Sequence, residues 1–183
     1  MTIETPRLLL REWQNGDAPA LVDGLNNLAV TQWLVAVPHP FTQADAENFL
    51  QYCRGQAEET PRSDYNFAIV LKETGDVTGG TSLNNIHPHH GTADGGIWIN
   101  EHYHGQGYGA EAFDARARFA FETLGLRRLE NGFLAGNEAS RRMQEHLGYA
   151  VEGLRRKGFL CRADGILKDE YITGLLREEW RPL

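Results

Sequence analysis

Hydrophobic positions along the chain switch between a two-residue and a helical period, and each switch marks an element. "RLLLREW", Arg7–Trp13, has strand character. "GDAPALVDGLNN", Gly16–Asn27, reads as a helix capped by Asp17 with a proline in its first turn. "FTQADAENFLQYCRG" carries a fuller signature: Thr42 caps, Asp45 follows three residues on, and Ala46, Phe49, Leu50 and Cys53 share a face. Gly55 is the expected stop. After a long connection, Cys53–Asp64, the period becomes two. "YNFAIVLKETGDVTGGTSLNNI" predicts a strand, a tight turn at Glu73–Asp76 and a second strand, and "ADGGIWIN" predicts a third after the loop "HPHHGT". A helix follows from about Gly107 to Leu124, with Phe113, Ala117, Ala120, Phe121 and Leu124 as its buried stripe and Gly125 as its end. "RRLENGFLA" is strand-like, and "NEASRRMQEHLG" is a helix capped by Asn137 and ended by Gly148. The tail reads as a hairpin turning near Asp164-Gly165.

The predicted order is β-αα-βββ-α-β-α-ββ. Consecutive strands favour antiparallel pairing, whereas the strand–helix–strand unit requires a parallel neighbour reached by a right-handed crossover. The expected class is α/β: a mixed, mostly antiparallel sheet with helices on both faces. A chain of 183 residues fits one domain spanning 1–183. No apolar run reaches the roughly 20 residues of a membrane span, and the N-terminus lacks a signal-peptide pattern. Cys53 and Cys161 match no metal or redox spacing; read as unpaired, they suit a reducing, cytoplasmic setting. The net charge of −7 argues against a nucleic-acid partner and favours a cationic substrate such as an amine, with acidity for solubility alone as the plain alternative.

The chemistry concentrates in "GGIWINEHYHGQGYGAEAF", Gly95–Phe113. Gly105, Gly107 and Ala110 formally satisfy a dinucleotide fingerprint, but that motif needs its glycines directly after the strand, and "NEHYH" intervenes. No Lys-Ser/Thr follows, so a phosphate-binding Walker loop is excluded. A flexible loop opening a helix is the bland reading. An anion nest explains more residues: successive amides and the helix dipole converge on phosphate oxygens, and side chains at Gly105, Gly107 and Gly109 would block that approach. If the strand from Leu129 diverges from Ile97–Ile99, a notch opens in which an extended, amide-bearing ligand can pair with the free edge.

These residues resemble the GNAT superfamily of N-acetyltransferases, and within it the group that acetylates the N-termini of ribosomal proteins. The family's pyrophosphate motif, Gln/Arg-x-x-Gly-x-Gly/Ala, reads here His104-Gly105-Gln106-Gly107-Tyr108-Gly109, with His104 in place of Gln or Arg. "NEASRRMQEHLGY" resembles the family's Asn-x-x-Ser…Leu-Gly-Phe/Tyr helix, and "VEGLRRKGF…ADG…D…Y…GLLREEW" the subgroup's closing hairpin and Glu-Trp ending. The likeness runs from about Thr5 to Trp180. It implies the GNAT fold: about seven strands, splayed between the fourth and fifth.

By the same resemblance, acetyl-CoA is the co-substrate and no metal is needed. His104, Gly105, Gln106, Gly107, Tyr108, Gly109 and Ala110 hold it, with the diphosphate on the amides from Gly105 to Ala110. The pantetheine arm pairs with the backbone of Ile97, Trp98 and Ile99, and the Ile99 amide faces the thioester oxygen. Asn137 contacts the arm and Ser140 donates a proton to the departing thiolate; as plain alternatives, Asn137 is a helix cap and Ser140 a first-turn polar residue. Many members place a tyrosine acid seven residues after that asparagine, where this chain has Gln144, and Tyr149 is read as packing. Glu101, Asp94 and the histidines of His87–His90 lie near the expected mouth, and none is assigned as base. A metal site at those histidines is disfavoured by their proline-containing loop. Trp33, Tyr65 and Trp98 are candidates for an acceptor pocket or for ordinary packing.

The implied activity is acetyl transfer to a primary amine, best a protein N-terminal α-amino group, with no membrane partner and, by subgroup likeness, a homodimer. A small amine acceptor such as a polyamine, aminoglycoside or amino acid, a non-catalytic acyl-CoA-binding module, and a dinucleotide oxidoreductase are the alternatives.

Overall fold

The computed structural model describes residues 1–183. Nine strands form one sheet: β1 (Thr2–Glu4), β2 (Leu8–Glu12), β3 (Tyr65–Leu71), β4 (Val77–His87), β5 (Thr92–Asp94), β6 (Ile97–Ile99), β7 (Arg128–Leu134), β8 (Ala150–Leu160) and β9 (Leu167–Leu176). Helices α1 (Ala18–Leu25), α2 (Leu28–Thr31), α3 (Gln43–Glu58), α4 (Tyr108–Arg118) and α5 (Glu138–Leu147) connect them, and a π-helical turn, Phe119–Thr123, prolongs α4. The count exceeds seven for two local reasons. Thr2–Glu4 adds an edge strand against β2, and the expected third strand is two strands interrupted at Gly95-Gly96. Gly55 does not stop α3: the glycine has open space around it, and the helix runs on until Glu59 turns extended.

The strand order is β1-β2-β3-β4-β5-β7-β9-β8, with β6 paired to β4 alone. Every pairing is antiparallel except β5 with β7, where Thr92 and Ala93 lie opposite Arg128 and Leu129. The segment carrying α4 is the crossover joining these parallel strands. On the α4–α5 face, twenty buried residues form the main core, including Leu8, Leu10, Phe67, Phe113, Leu129 and Leu175. The opposite face carries a cluster of seven, among them Leu21, Val30, Phe41 and Leu50, against which Trp13 and Trp98 pack. The closing Glu-Trp sequence anchors here too: Trp180 Nε1 donates to Asp114 Oδ1 at 2.9 Å, and its ring lies against Phe121.

The break between β5 and β6 is built from both sides. Gly95 has φ +156°, and a Cβ there would lie 2.0 Å from the Ser82 carbonyl oxygen and 2.7 Å from Arg116 Nη1. Ser82 N–H still donates to the Gly96 carbonyl at 3.0 Å, but the Gly96 N–H returns no bond to the Ser82 carbonyl. Arg116 Nη1 donates to it instead, at 3.0 Å. This arginine is fully buried; Nη2 donates to the Tyr149 hydroxyl at 2.9 Å and the guanidinium stacks 3.9 Å over Phe113, while Nε has no partner. A buried carbonyl left without a donor is costly, so a side chain from α4 does what the interrupted ladder cannot.

Gly95→Ala is therefore expected to destabilise the fold by about 1–3 kcal/mol, because the added methyl meets a carbonyl and a buried guanidinium. Thermal denaturation followed by circular dichroism checks this; an unchanged midpoint would mean that the break tolerates a side chain.

Candidate functional site

Two hydrogen bonds fix the phase of the β4–β6 ladder: Ser82 N–H to the Gly96 carbonyl, and Asn100 N–H to the Thr78 carbonyl. In an antiparallel pair alternate residues bond across, so Gly96, Trp98 and Asn100 face β4, and Ile97 and Ile99 turn their backbone groups the other way. The β7–β9 ladder is phased by Ala135 N–H to the Asp169 carbonyl and Arg177 N–H to the Arg127 carbonyl. Glu130, Gly132 and Leu134 consequently direct their backbone groups away from β9, towards β6. Since β6 and β7 do not pair, a notch lies between two strand edges, closed at one end by the β5–β7 pairing. Trp98 departs from expectation: its backbone belongs to β4, and its ring stacks on Trp13 at 6.5 Å and fills the space beside Gly24 and Gly80. The backbone available for pairing narrows to both groups of Ile97 and the N–H of Ile99, whose carbonyl is taken by His104 Nε2.

Beyond β6 the chain makes a short 3₁₀ turn, Glu101–Tyr103, and enters the glycine loop. Gly105 and Gly107 have φ +75° and +80°, left-handed conformations that side chains resist, and Gly107 caps α4. None of the six amides from Gly105 to Ala110 donates a hydrogen bond within the protein. They form a run of free donors at the positive end of α4, the arrangement that takes a phosphate or diphosphate. Gly109 differs from its neighbours: it is ordinary helix, and a Cβ there would make normal contact with Ile99 and Met143. His104 lies outside this run. Its N–H donates to the Glu101 carbonyl and its Nε2 to the Ile99 carbonyl at 2.7 Å, so the residue folds the loop back onto the end of β6.

A brace missed in the sequence holds the loop from below. Arg7 Nη1 donates to the Gln106 carbonyl at 2.9 Å, and its guanidinium lies 4.6 Å from the Tyr108 ring centroid. Arg7 Nε and N–H both donate to Glu111, at 2.6 and 2.9 Å, and Thr5 Oγ1 donates to the same carboxylate at 2.6 Å. Burial alone would raise the Glu111 pKa, but the bonds from Thr5 and Arg7 outweigh it and hold the carboxyl below its ordinary value. Only the strand character of "RLLL" was visible beforehand; nothing local told Arg7 from any surface arginine.

The β7 wall of the notch is completed by α5. Asn137 caps that helix, its side-chain oxygen accepting Ser140 N–H at 3.2 Å, so the capping alternative is realised and its Nδ2 is left over. Gln144 is almost fully buried. Its Nε2 donates to the Gly132 carbonyl and to Ser140 Oγ, both at 3.1 Å, and its Oε1 accepts from Thr173 Oγ1 at 2.6 Å. The Gly132 carbonyl is among the groups turned towards β6, which sets Ser140 and Gln144 beside the notch.

The acetyltransferase (GNAT) domain family matches residues 7–150 of this chain. The protein belongs to that family. Over 180 residues it is 29% identical to the uncharacterized N-acetyltransferase p20 of Bacillus licheniformis, covering 98% of each chain. Among solved structures it resembles a GNAT-family acetyltransferase from Bacillus anthracis, with a TM-score of 0.82, 25% identity, and 98% and 100% of the two chains covered. It also resembles a Vibrio cholerae chain provisionally named a ribosomal-protein-serine acetyltransferase, with a TM-score of 0.79, 29% identity, and 96% and 97% covered. The protein is thus an acyltransferase of the GNAT type.

The remaining candidates of this acetyltransferase fall into two groups. Asp94 ends β5 at the break; burial raises its pKa against the bond from Asn85 Nδ2 at 2.9 Å, and the Glu130 charge adds to the rise. Trp33 lies beside Gly136, in the loop before α5, with Lys168 Nζ 5.5 Å from its ring. The others are engaged elsewhere. Glu101 accepts from Asn27 Nδ2 at 2.6 Å. Tyr65 packs on Phe67 and Phe119, and Tyr149 is buried against Phe113. His87 and His90 stack on each other at 4.1 Å, and no group of three or more His, Cys, Asp or Glu side chains is placed to hold a metal ion. Both cysteines are free and buried, and burial pushes the Cys53 thiol up to about 12.

Gly107→Val puts a β-branched residue where φ is +80°, at a cost of about 1–3 kcal/mol that the loop can relieve only by rotating its amides. Calorimetry with coenzyme A is expected to show affinity reduced at least ~10-fold while the circular dichroism spectrum is unchanged. Undiminished affinity would remove the glycine loop from the site.

Proposed function

We propose that this acetyltransferase moves the acetyl group of acetyl-CoA to a primary amine by direct attack in a ternary complex, and that the acceptor is a protein N-terminal α-amino group. The observation that carries the proposal is the run of unpaired amides from Gly105 to Ala110, beside a notch whose β6 edge is free. The amides suit a diphosphate, and the outward backbone groups of Ile97 with the N–H of Ile99 suit the amide-bearing arm that follows it. Ile99 N–H then faces the thioester oxygen as charge develops there, a contact whose loss costs about 3–4 kcal/mol of barrier in other enzymes. The amine nitrogen bonds to the carbonyl carbon and the carbon–sulfur bond breaks. The proton shed by nitrogen passes to water, while Ser140 O–H protonates the departing sulfur and is itself reprotonated from solvent.

Two considerations favour an α-amino acceptor. Direct attack needs a neutral amine: at pH 7.4 neutralisation costs roughly 4 kcal/mol for a lysine with pKa about 10.4, and well under ~1 kcal/mol for an α-amino group near 7.8. The carboxylates near the notch are already engaged, Glu101 with Asn27 and Asp94 with Asn85, so the acceptor that asks least of a base fits best. The Vibrio cholerae chain named for ribosomal-protein-serine acetylation points the same way.

The test is a panel of N-terminal peptides, polyamines, aminoglycosides and amino acids offered with acetyl-CoA, with released thiol as the readout. Peptides are expected to be acetylated at the α-amine, with kcat/KM rising through about pH 7–8 and levelling above it, as an amine of that pKa requires. Activity confined to polyamines would replace the acceptor, and coenzyme binding without transfer to any amine would make the protein a binding module.

A further inference from the structure

The seventh residue after Asn137 is a glutamine, and that glutamine is neither exposed nor idle. Gln144 is 1% exposed and uses both ends of its amide. A carbonyl oxygen can only accept, so the group facing the Gly132 oxygen at 3.1 Å is the NH₂, and the oxygen faces Thr173 Oγ1 at 2.6 Å. The amide orientation is therefore fixed by chemistry. With one Nε2 hydrogen on Gly132, the other is aimed at Ser140 Oγ, also at 3.1 Å.

A serine hydroxyl has one hydrogen to give and lone pairs to receive with. Where the neighbouring partner is a donor, the hydroxyl accepts from it and its own hydrogen points elsewhere. Ser140 is half-buried, and its backbone N–H is already spent on the Asn137 side chain. The Gly132 carbonyl belongs to the β7 edge that faces β6, and the Ser140 hydroxyl donates to no acceptor within the protein, so its hydrogen is free to enter the notch. We propose that Gln144 is a positioning residue for acetyl transfer: its amide is held at one end by Gly132 and at the other by Thr173, and its NH₂ turns the Ser140 O–H towards the departing sulfur. This deepens the assignment of Ser140 as proton donor and rests on it. Gln144 itself exchanges no proton; the balance is that of the transfer step, with the Ser140 hydrogen passing to sulfur and being replaced from water.

The test compares kcat and the acetyl-CoA KM of Ser140→Ala, Gln144→Met, Gln144→Glu and the double variant Ser140→Ala/Gln144→Met. Ser140→Ala is expected to lower kcat about 100-fold, the scale of a lost general acid. Gln144→Met keeps the shape and removes the donor; kcat should fall about tenfold, the worth of one misdirected hydrogen bond, with KM unchanged. In the Ser140→Ala background the same change should cost nothing further, because its effect runs through the hydroxyl. Gln144→Glu replaces the donor by an acceptor that draws the hydroxyl hydrogen back, so its kcat should fall at least as far as that of Gln144→Met. Losses that multiply in the double variant, or full kcat in Gln144→Glu, would overturn the positioning role while leaving Ser140 as acid. Full activity of Ser140→Ala would instead remove the acid and this inference with it. If Gln144→Met does not fold, the Gln144→Glu result decides alone.

Discussion

Everything at the site follows from one interrupted ladder. Where β5 gives way to β6, Gly95 brings the backbone so close to the Ser82 carbonyl that no side chain fits, and the two halves of the strand part company on their outer side: both stay paired with β4, but only β5 also pairs with β7. Left there, the break would bury a carbonyl without a donor. Arg116 reaches up from α4 to supply one, and Phe113 and Tyr149 hold the guanidinium in place. A buried charge is an expensive way to fill a gap, and an apolar side chain could pack there at less cost but could not hydrogen-bond. Its use at this point couples the main core to the break in the strand, because the helix that begins with the free amides also carries the residue that satisfies the Ser82 carbonyl.

The second coupling runs from the N-terminal strand. Arg7 and Thr5 converge on Glu111, in the first turn of α4, and Arg7 also takes the Gln106 carbonyl. A loop with two left-handed glycines has much freedom to lose on binding. Fixing one of its carbonyls from behind removes part of that freedom in advance and keeps the acceptor side of the peptide away from the donor side. Arg7 also leaves positive charge close to Gly107, favourable to any anion there.

The periodicity of the sequence carried the order of helices and strands, the antiparallel character of the sheet and the place of the crossover. The glycine loop could be located because a strand, three spaced glycines and a helix start are all local signals. What failed to show were consequences of long-range contact. Gly95-Gly96 inside a strand pattern is a recognised sign of a bulge, yet only the pairing partners on either side reveal that it splits one strand into two. Arg7, Arg116 and Gln144 are ordinary letters in sequence; their roles come from Gln106, Ser82, Gly132 and Thr173, which tertiary folding brings to them. Trp98 was misread for the complementary reason. Adjacent residues of a strand point their backbones to opposite edges, and the phase was unknown until the β4 register was seen.

A free strand edge is ordinarily a hazard, since any extended chain can add to it. Here the edge is recessed. The gap between β6 and β7 closes at the β5 end, α5 stands along its β7 side, and α4 begins at its open end. A second sheet cannot enter such a slot, whereas a single flexible chain with one or two amides can, provided its other end is held at the amides of the glycine loop. In the proposed reaction the two walls divide the labour by kind: backbone N–H groups on the β6 side are fixed in direction and suit an oxygen that gains charge, while the α5 side offers a hydroxyl whose hydrogen must be aimed. Main chain needs no aiming once the strand is set. A hydroxyl does, and the buried Gln144 amide is the only group on that wall with both a fixed orientation and a donor turned to Ser140.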